Sequence, residues 1–166
     1  MRLSKSFLIS EFLNSNVAKR RGIVLDPPNE HIDNMMFLCR ELLQPLRDKI
    51  GRPIRINSGY RSYELNRAIG GAYKIIDGKY VPTSQHTKGQ AADLKYVDKK
   101  GRVDNKLLFD TVLEMGLEFD QMINEFNYSW IHISYNKGNN RKQILEAYKD
   151  DNNTTIYQNV INYKGL

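Results

Sequence analysis

Two short segments, "AADLK" at 91–95 and "WIHISY" at 130–135, constrain this 166-residue chain more than any other feature. Both alternate with the period of a β-strand that buries one face. Ala91, Asp93 and Lys95 share one side of the first, with Ala92 and Leu94 on the other. Trp130, His132 and Ser134 share one side of the second, opposite Ile131 and Ile133. If the Leu94 and Ile131/Ile133 faces pack on helices, Asp93 and His132 project together from the open side of one sheet. Asp93 lies among small and apolar neighbours, where an unpaired carboxylate is costly to bury. It therefore demands a partner.

The surrounding pattern supplies the helices. In "PPNEHIDNMMFLCRELLQPLRDKIG", Ile32, Met35, Met36, Cys39, Leu42, Leu43 and Leu46 recur at spacings of three and four, Pro45 is placed to bend the helix, and Gly51 ends it. Shorter helices are predicted in "LISEFLNS", opened by Ser10, in "YELNRAIGG" and in "NKLLFDTVLEMG". "RPIRIN" and "DQMINE" read as further strands, and the segment around "DG" at 77–78 as a loop or small hairpin. "QILEAYK" reads as a short helix before a polar, asparagine-rich tail. Strands and helices do not alternate regularly, so the expected fold is α+β, with a small, mainly antiparallel sheet and flanking helices. One domain is expected over 1–166, with a core at about 8–136 and a C-terminal extension at about 141–166 that either caps the sheet or meets a partner.

Composition narrows the function. The net charge of +6 suits an anionic partner, whether nucleic acid, an anionic membrane or an anionic cell-wall polymer, and equally an ordinary surface with some excess lysine. The basic residues are scattered, however, and form no nucleic-acid motif, so no nucleic acid is expected. No apolar run is long enough for a transmembrane helix, and the N-terminus lacks the pattern of a secretory signal. A single cysteine, Cys39, excludes an internal disulfide and a cysteine-cluster metal site; its helical pattern marks it as a core thiol.

His86 precedes Asp93 by seven residues, in the loop that enters the first strand, where Gly89 supplies flexibility. Folded over the open face, it joins Asp93 and His132 as two imidazoles and one carboxylate, a metal set with room for water or substrate. His31 sits on the long helix without convergent partners and is read as structural. Non-haem iron oxygenases use the same residue types, but with the first histidine and the acid two apart on one strand.

"INSGYRS", "SQHTKGQAADL" and "WIHIS", in that order, resemble the D-alanyl-D-alanine carboxypeptidase family of zinc peptidases. That family includes the vancomycin-resistance D,D-dipeptidases and phage endolysins, and shares its fold with lysostaphin-type peptidases and the hedgehog domain. Its pattern S-x-H-x(6)-D, then W-x-H, falls on Ser84, His86, Asp93, Trp130 and His132. The upstream sequence from about residue 8 resembles the phage-type, wall-associated branch. The resemblance implies one zinc ion held by His86, Asp93 and His132. It gives Arg61 the role of stabilising the oxyanion or gripping a substrate carboxylate, and suggests Ser58, Tyr60 and Gln85 as cleft or substrate-binding residues. Many members place an acid three residues before the last histidine, where this chain has Ser129. Asp120 and Glu125 are the nearest carboxylates, and branch members with a similar arrangement suggest Glu125 as the general base.

The expectation is a monomeric zinc peptidase acting on peptidoglycan stem peptides or cross-links, as a D,D-carboxypeptidase or endopeptidase. It would be made in the cytoplasm without a signal peptide and reach the wall through a holin or on a virion. The alternative is a non-catalytic, zinc-stabilised wall-binding module, a reading that Ser129 invites.

Overall fold

The computed structural model describes residues 1–160. Its centre is a six-stranded sheet with the order β1-β4-β6-β5-β7-β8. The strands are β1 Ile54–Ser58, β4 Ala91–Tyr96, β5 Gln121–Glu125, β6 Trp130–Ser134, β7 Gln143–Lys149 and β8 Thr155–Asn159. All neighbours are antiparallel except β5 and β7, so the fold is α+β with a mainly antiparallel sheet, as expected. A separate hairpin, β2 Tyr73–Ile76 and β3 Lys79–Pro82, turns at Asp77-Gly78, both with positive φ.

One face of the sheet carries the core. Ala92, Leu94, Met122, Ile131 and Ile133 pack with Leu38, Leu42 and Leu46 of the long helical segment and with Leu108, Phe109 and Val112 of α6 (Asn105–Glu114). This is the apolar face read from the alternation. Cys39 is fully buried within it, and burial pushes its thiol far above the ordinary value.

The long segment runs as α3 (Asn29–Phe37), a π-helical stretch (Leu38–Leu43) and α4 (Gln44–Ile50), closed by Gly51 in the left-handed conformation. Pro45 lacks an N–H and crowds the carbonyl one turn back, and the wider π stretch immediately precedes it. The irregularity expected at Pro45 is therefore a change of helical winding.

Two local expectations are corrected, and one short helix is added to those expected. The first helix, α1 (Ile9–Phe12), opens at Leu8 rather than Ser10, because Glu11 reaches back to accept the Leu8 N–H at 2.7 Å. A second short helix, α2 (Asn16–Arg21), is capped by Ser15, which accepts the Ala18 N–H. The segment "QILEAYK", read as a helix, is strand β7: Leu145 and Ala147 alternate with exposed residues and pair parallel to β5. With β8 it extends the sheet, so the described part of the C-terminal extension adds two strands to it; residues 161–166 lie outside the described residues. Among the described residues, no helix is long and apolar enough to cross a membrane.

Candidate active site and metal centre

The second face of the sheet is laid out in rows. Ser58, Asp93, His132, Ile123 and Leu145 stand opposite one another across β1, β4, β6, β5 and β7. A bulge between Ile56 and Ser58 supplies the extra residue that brings Ser58, rather than Asn57, opposite Asp93. The next row is Trp130, Glu125, Ala147 and Tyr157, across β6, β5, β7 and β8. Paired positions share a face, and from these two rows all but Ser58 and Ala147 line one open cleft of about 700 Å³.

His86 enters from a 3-10 turn, Gln85–Lys88, that α5 (Tyr63–Ala68) and the hairpin precede. Gly89 closes the turn at φ +69°, and a β-carbon there would lie 2.3 Å from the His31 carbonyl oxygen. Gly89 therefore acts by fixing a tight approach, and the flexibility expected of it is not its role. His86 Nδ1 donates to the Gly59 carbonyl at 2.7 Å, which leaves the Nε2 lone pair facing the cleft. Gly59 is itself held by contact with α1: a β-carbon would sit 2.6 Å from the Phe12 α-carbon. Burial lowers the His86 pKa, favouring the neutral, ligating form against the pull of Asp93.

His86 Nε2, His132 Nδ1 and Asp93 Oδ1 converge. The two nitrogens are 3.2 Å apart, and each lies 3.3 or 3.1 Å from the carboxylate oxygen. Ligands about 2.0–2.1 Å from a tetrahedral zinc ion stand roughly 3.3 Å from one another. The three donors thus already have the spacing of three corners of such a tetrahedron, and their chemistry, two imidazoles and a carboxylate, is that of a zinc site. Burial alone would raise the Asp93 pKa, but the two histidines overcome it and hold the carboxyl well below its usual range. Among the described residues, this is the group able to hold a metal ion.

Arg61 stands behind the triad. Its Nη2 donates to Asp93 Oδ2 at 2.9 Å, and its Nε and Nη2 donate to Ser58 Oγ at 3.2 and 3.0 Å. One carboxylate oxygen thus faces the two histidines while the other is gripped from behind, the arrangement that orients a metal ligand. Ser58 belongs to this support. Tyr60 lies away from the cleft: it is buried in the core, with its ring 5.7 Å from that of His31. The cleft role expected of Tyr60 does not fit this position, because the residue after Gly59 turns toward α1, where its N–H donates to the Phe12 carbonyl. Gln85 does line the cleft, with its amide donating to Asp120 at 2.7 Å. Asp120 is also bound by Arg141 through the backbone N–H, Nε and Nη2, so its acceptors are occupied.

Glu125 is the free carboxylate of the cleft wall. It is 6% exposed, and burial pushes its pKa up to about 7, with His132 pulling it down and Asp93 pushing it further up. Its row sets its facing: it shares the side of Ile123 and His132. Ser129 points elsewhere, its hydroxyl donating to the Phe126 carbonyl at 2.8 Å on the exposed hairpin turn. That turn holds Phe126, Asn127 and Tyr128 at positive φ and sets the Phe126 and Trp130 rings 5.3 Å apart at the cleft edge. Phe126 and Tyr157 were not legible as cleft residues in the sequence. Their places depend on the turn conformation and on β8 pairing, neither of which leaves a local motif.

No curated protein sequence matches the chain. The sequence profile described as peptidase M15, of the zinc D-Ala-D-Ala carboxypeptidase type, matches residues 5–134, which hold all three candidate ligands, Arg61 and Glu125. The match agrees with the geometry of the triad, and the chain belongs to the peptidase M15 family.

Proposed function

We propose that this protein is a zinc metallopeptidase that hydrolyses amide bonds in peptidoglycan stem peptides or cross-links, as a D,D-carboxypeptidase or an endopeptidase of the phage lytic type. The observation that carries the reading is the convergence of three buried metal donors and one unpaired carboxylate on a single open cleft. His86, Asp93 and His132 would hold the ion, with Arg61 keeping Asp93 in register. Zinc, when bound, supplies Lewis-acid polarisation of the scissile carbonyl and makes water acidic enough to attack near neutral pH.

The remaining chemistry belongs to the chain. Glu125 accepts the proton of the attacking water and passes it to the amine nitrogen as the C–N bond breaks. A carboxyl whose pKa lies near 7 can do both at neutral pH. Gln85 and the Phe126–Trp130 pair border the substrate path. The net charge of +6 favours residence on an anionic wall. Cytoplasmic synthesis followed by holin release or virion delivery completes the proposal, on the resemblance of the N-terminal half to the phage branch.

The test is digestion of purified peptidoglycan of several chemotypes by protein carrying one equivalent of zinc. New amines and carboxyls should appear, and mass spectrometry of the products would identify the bond. Firm binding to sacculi with no amine released from any wall type would replace this reading with that of a wall-binding module.

A further inference from the structure

The row that contains Glu125 continues to the end of the described chain. Glu125 pairs with Ala147 on β7, and Ala147 with Tyr157 on β8, so the three side chains stand on one face in one line. The middle residue is only a methyl group, and it is fully buried. A tyrosine one strand further out can therefore lean over it toward the carboxylate. Tyr157 does line the cleft, although it is rooted on the outermost strand and half exposed. Its phenol is raised above its ordinary value by burial and by the charges of Glu125 and Asp93, with Arg61 opposing. It stays a protonated donor throughout the working pH range.

The cleft has need of such a donor. Arg61, to which the family resemblance assigns the oxyanion, has its Nε and Nη2 committed to Ser58 and Asp93. Gln85 is tied to Asp120, and Arg141 is held by the same carboxylate. Among the described residues the Tyr157 hydroxyl forms no hydrogen bond, and it comes from a segment beyond the 5–134 family match.

We propose that Tyr157 is a substrate-contacting residue whose hydroxyl donates a hydrogen bond to the carbonyl oxygen of the amide being cleaved, on the side of the cleft opposite Arg61. The inference rests on the peptidase reading above. Tyr157 keeps its proton throughout. The water oxygen adds to the carbonyl carbon, the water proton travels through Glu125 to the amine, and the phenol stabilises the negative charge that builds on the carbonyl oxygen between those events. The C-terminal strands then complete the active site as well as the sheet.

The experiment compares the zinc-loaded wild type with Tyr157→Phe, which removes one oxygen atom and keeps the ring. Steady-state cleavage is measured on peptidoglycan fragments. Calorimetry measures binding of a phosphinate dipeptide, whose tetrahedral anionic group resembles the reacting centre. The expected result is a kcat lower by on the order of a hundredfold to a thousandfold, as for loss of one such donor. KM, zinc content and melting temperature should stay unchanged, and phosphinate affinity should fall by a similar factor. Equal kcat in the two proteins, or a loss that follows zinc content or melting temperature, would overturn the assignment. If the wild type cleaves no fragment, the peptidase reading fails by itself; phosphinate binding then still decides Tyr157, and equal affinities, or no binding by either protein, refute it.

Discussion

Replacing Glu125 by glutamine should move activity and stability in opposite directions. The carboxyl is buried among Asp93, His132 and Arg61, and its pKa stands at about 7 in the folded chain against an ordinary 4.5. Below pH 4.5 both folded and unfolded chains carry the proton, and the residue costs nothing. Between 4.5 and 7 the folded chain holds a proton that the unfolded chain has released, so stability falls as pH rises through that window. The full displacement is worth up to about 3 kcal/mol at pH 8. Glutamine has the shape of the protonated acid and cannot ionise, so it escapes this cost. In metal-free protein the variant should match the wild type at pH 4 and exceed it at pH 8. For a chain of this size that means a melting temperature higher by roughly 5–10 °C.

Catalysis should respond the other way. Loss of a general base removes about 10²- to 10⁴-fold of rate, while the zinc ligands are untouched and metal content should remain one per chain. The assay is urea and thermal unfolding in chelator at pH 4 and pH 8, alongside amine release from peptidoglycan at saturating zinc. A variant that is less stable than the wild type at pH 8 would show that Glu125 is held by favourable contacts and is not a strained, ionisable base. A variant that keeps its full rate would remove Glu125 from the mechanism.

Other substitutions follow from the same geometry. Asp93→Asn should reduce zinc binding by about a hundredfold or more, read by chelator competition, since it removes the anionic donor and leaves the part-buried Arg61 guanidinium without its carboxylate. Arg61→Lys keeps the charge but not the fork that spans Ser58 and Asp93, and should weaken zinc by about 10- to 100-fold, the usual cost of a lost orienting partner. Ser129→Ala should leave kcat within about twofold, because its hydroxyl serves an exposed turn whose loss costs at most a few tenths of a kcal/mol; a large loss would return the base to that position. Gly89→Ala should cost about 1–3 kcal/mol in denaturant unfolding and loosen zinc by displacing the His86 turn, since the new methyl meets the His31 carbonyl at a left-handed backbone position.

The parts of this molecule that could be read from sequence are those encoded by local periodicity. Alternation in "AADLK" and "WIHIS" places Asp93 and His132 on one face, and the apolar complement packs on the helices. The long helix, the Asp77-Gly78 hairpin and the core cysteine are equally local. What periodicity could not carry is partner choice between strands. "QILEAYK" satisfies a helical as well as an extended pattern over seven residues, and only its parallel pairing with β5 makes it a strand. Tyr157 then reaches the cleft through two successive pairings, each invisible in its own segment. Tyr60 fails for the converse reason: it sits beside functional neighbours in sequence, yet the backbone turns at Gly59 and sends its side chain into the core.

The same distinction accounts for the displaced acid. Counting back three residues from His132 leads to Ser129, which suggests a site without its base. In space, β5 and β6 are the two arms of one hairpin: Glu125 is the last residue of one arm, Trp130 the first of the other, and the two are direct partners. Ser129 sits at the neck of the turn, its N–H donating to the Glu125 carbonyl at 2.9 Å. Moving the acid from position 129 to position 125 therefore carries it across the mouth of a single hairpin, from the end of one arm to the end of the other. It remains at the same edge of the same cleft, one row from His132. The left-handed turn at Phe126, Asn127 and Tyr128 is what lets the arms close at that point with Glu125 facing inward. An insertion of one residue into that turn should slip the Glu125–Trp130 pairing and abolish cleavage while His86, Asp93 and His132 still bind zinc. Retained cleavage in such a variant, with zinc at one per chain, would mean that the base does not depend on the hairpin register.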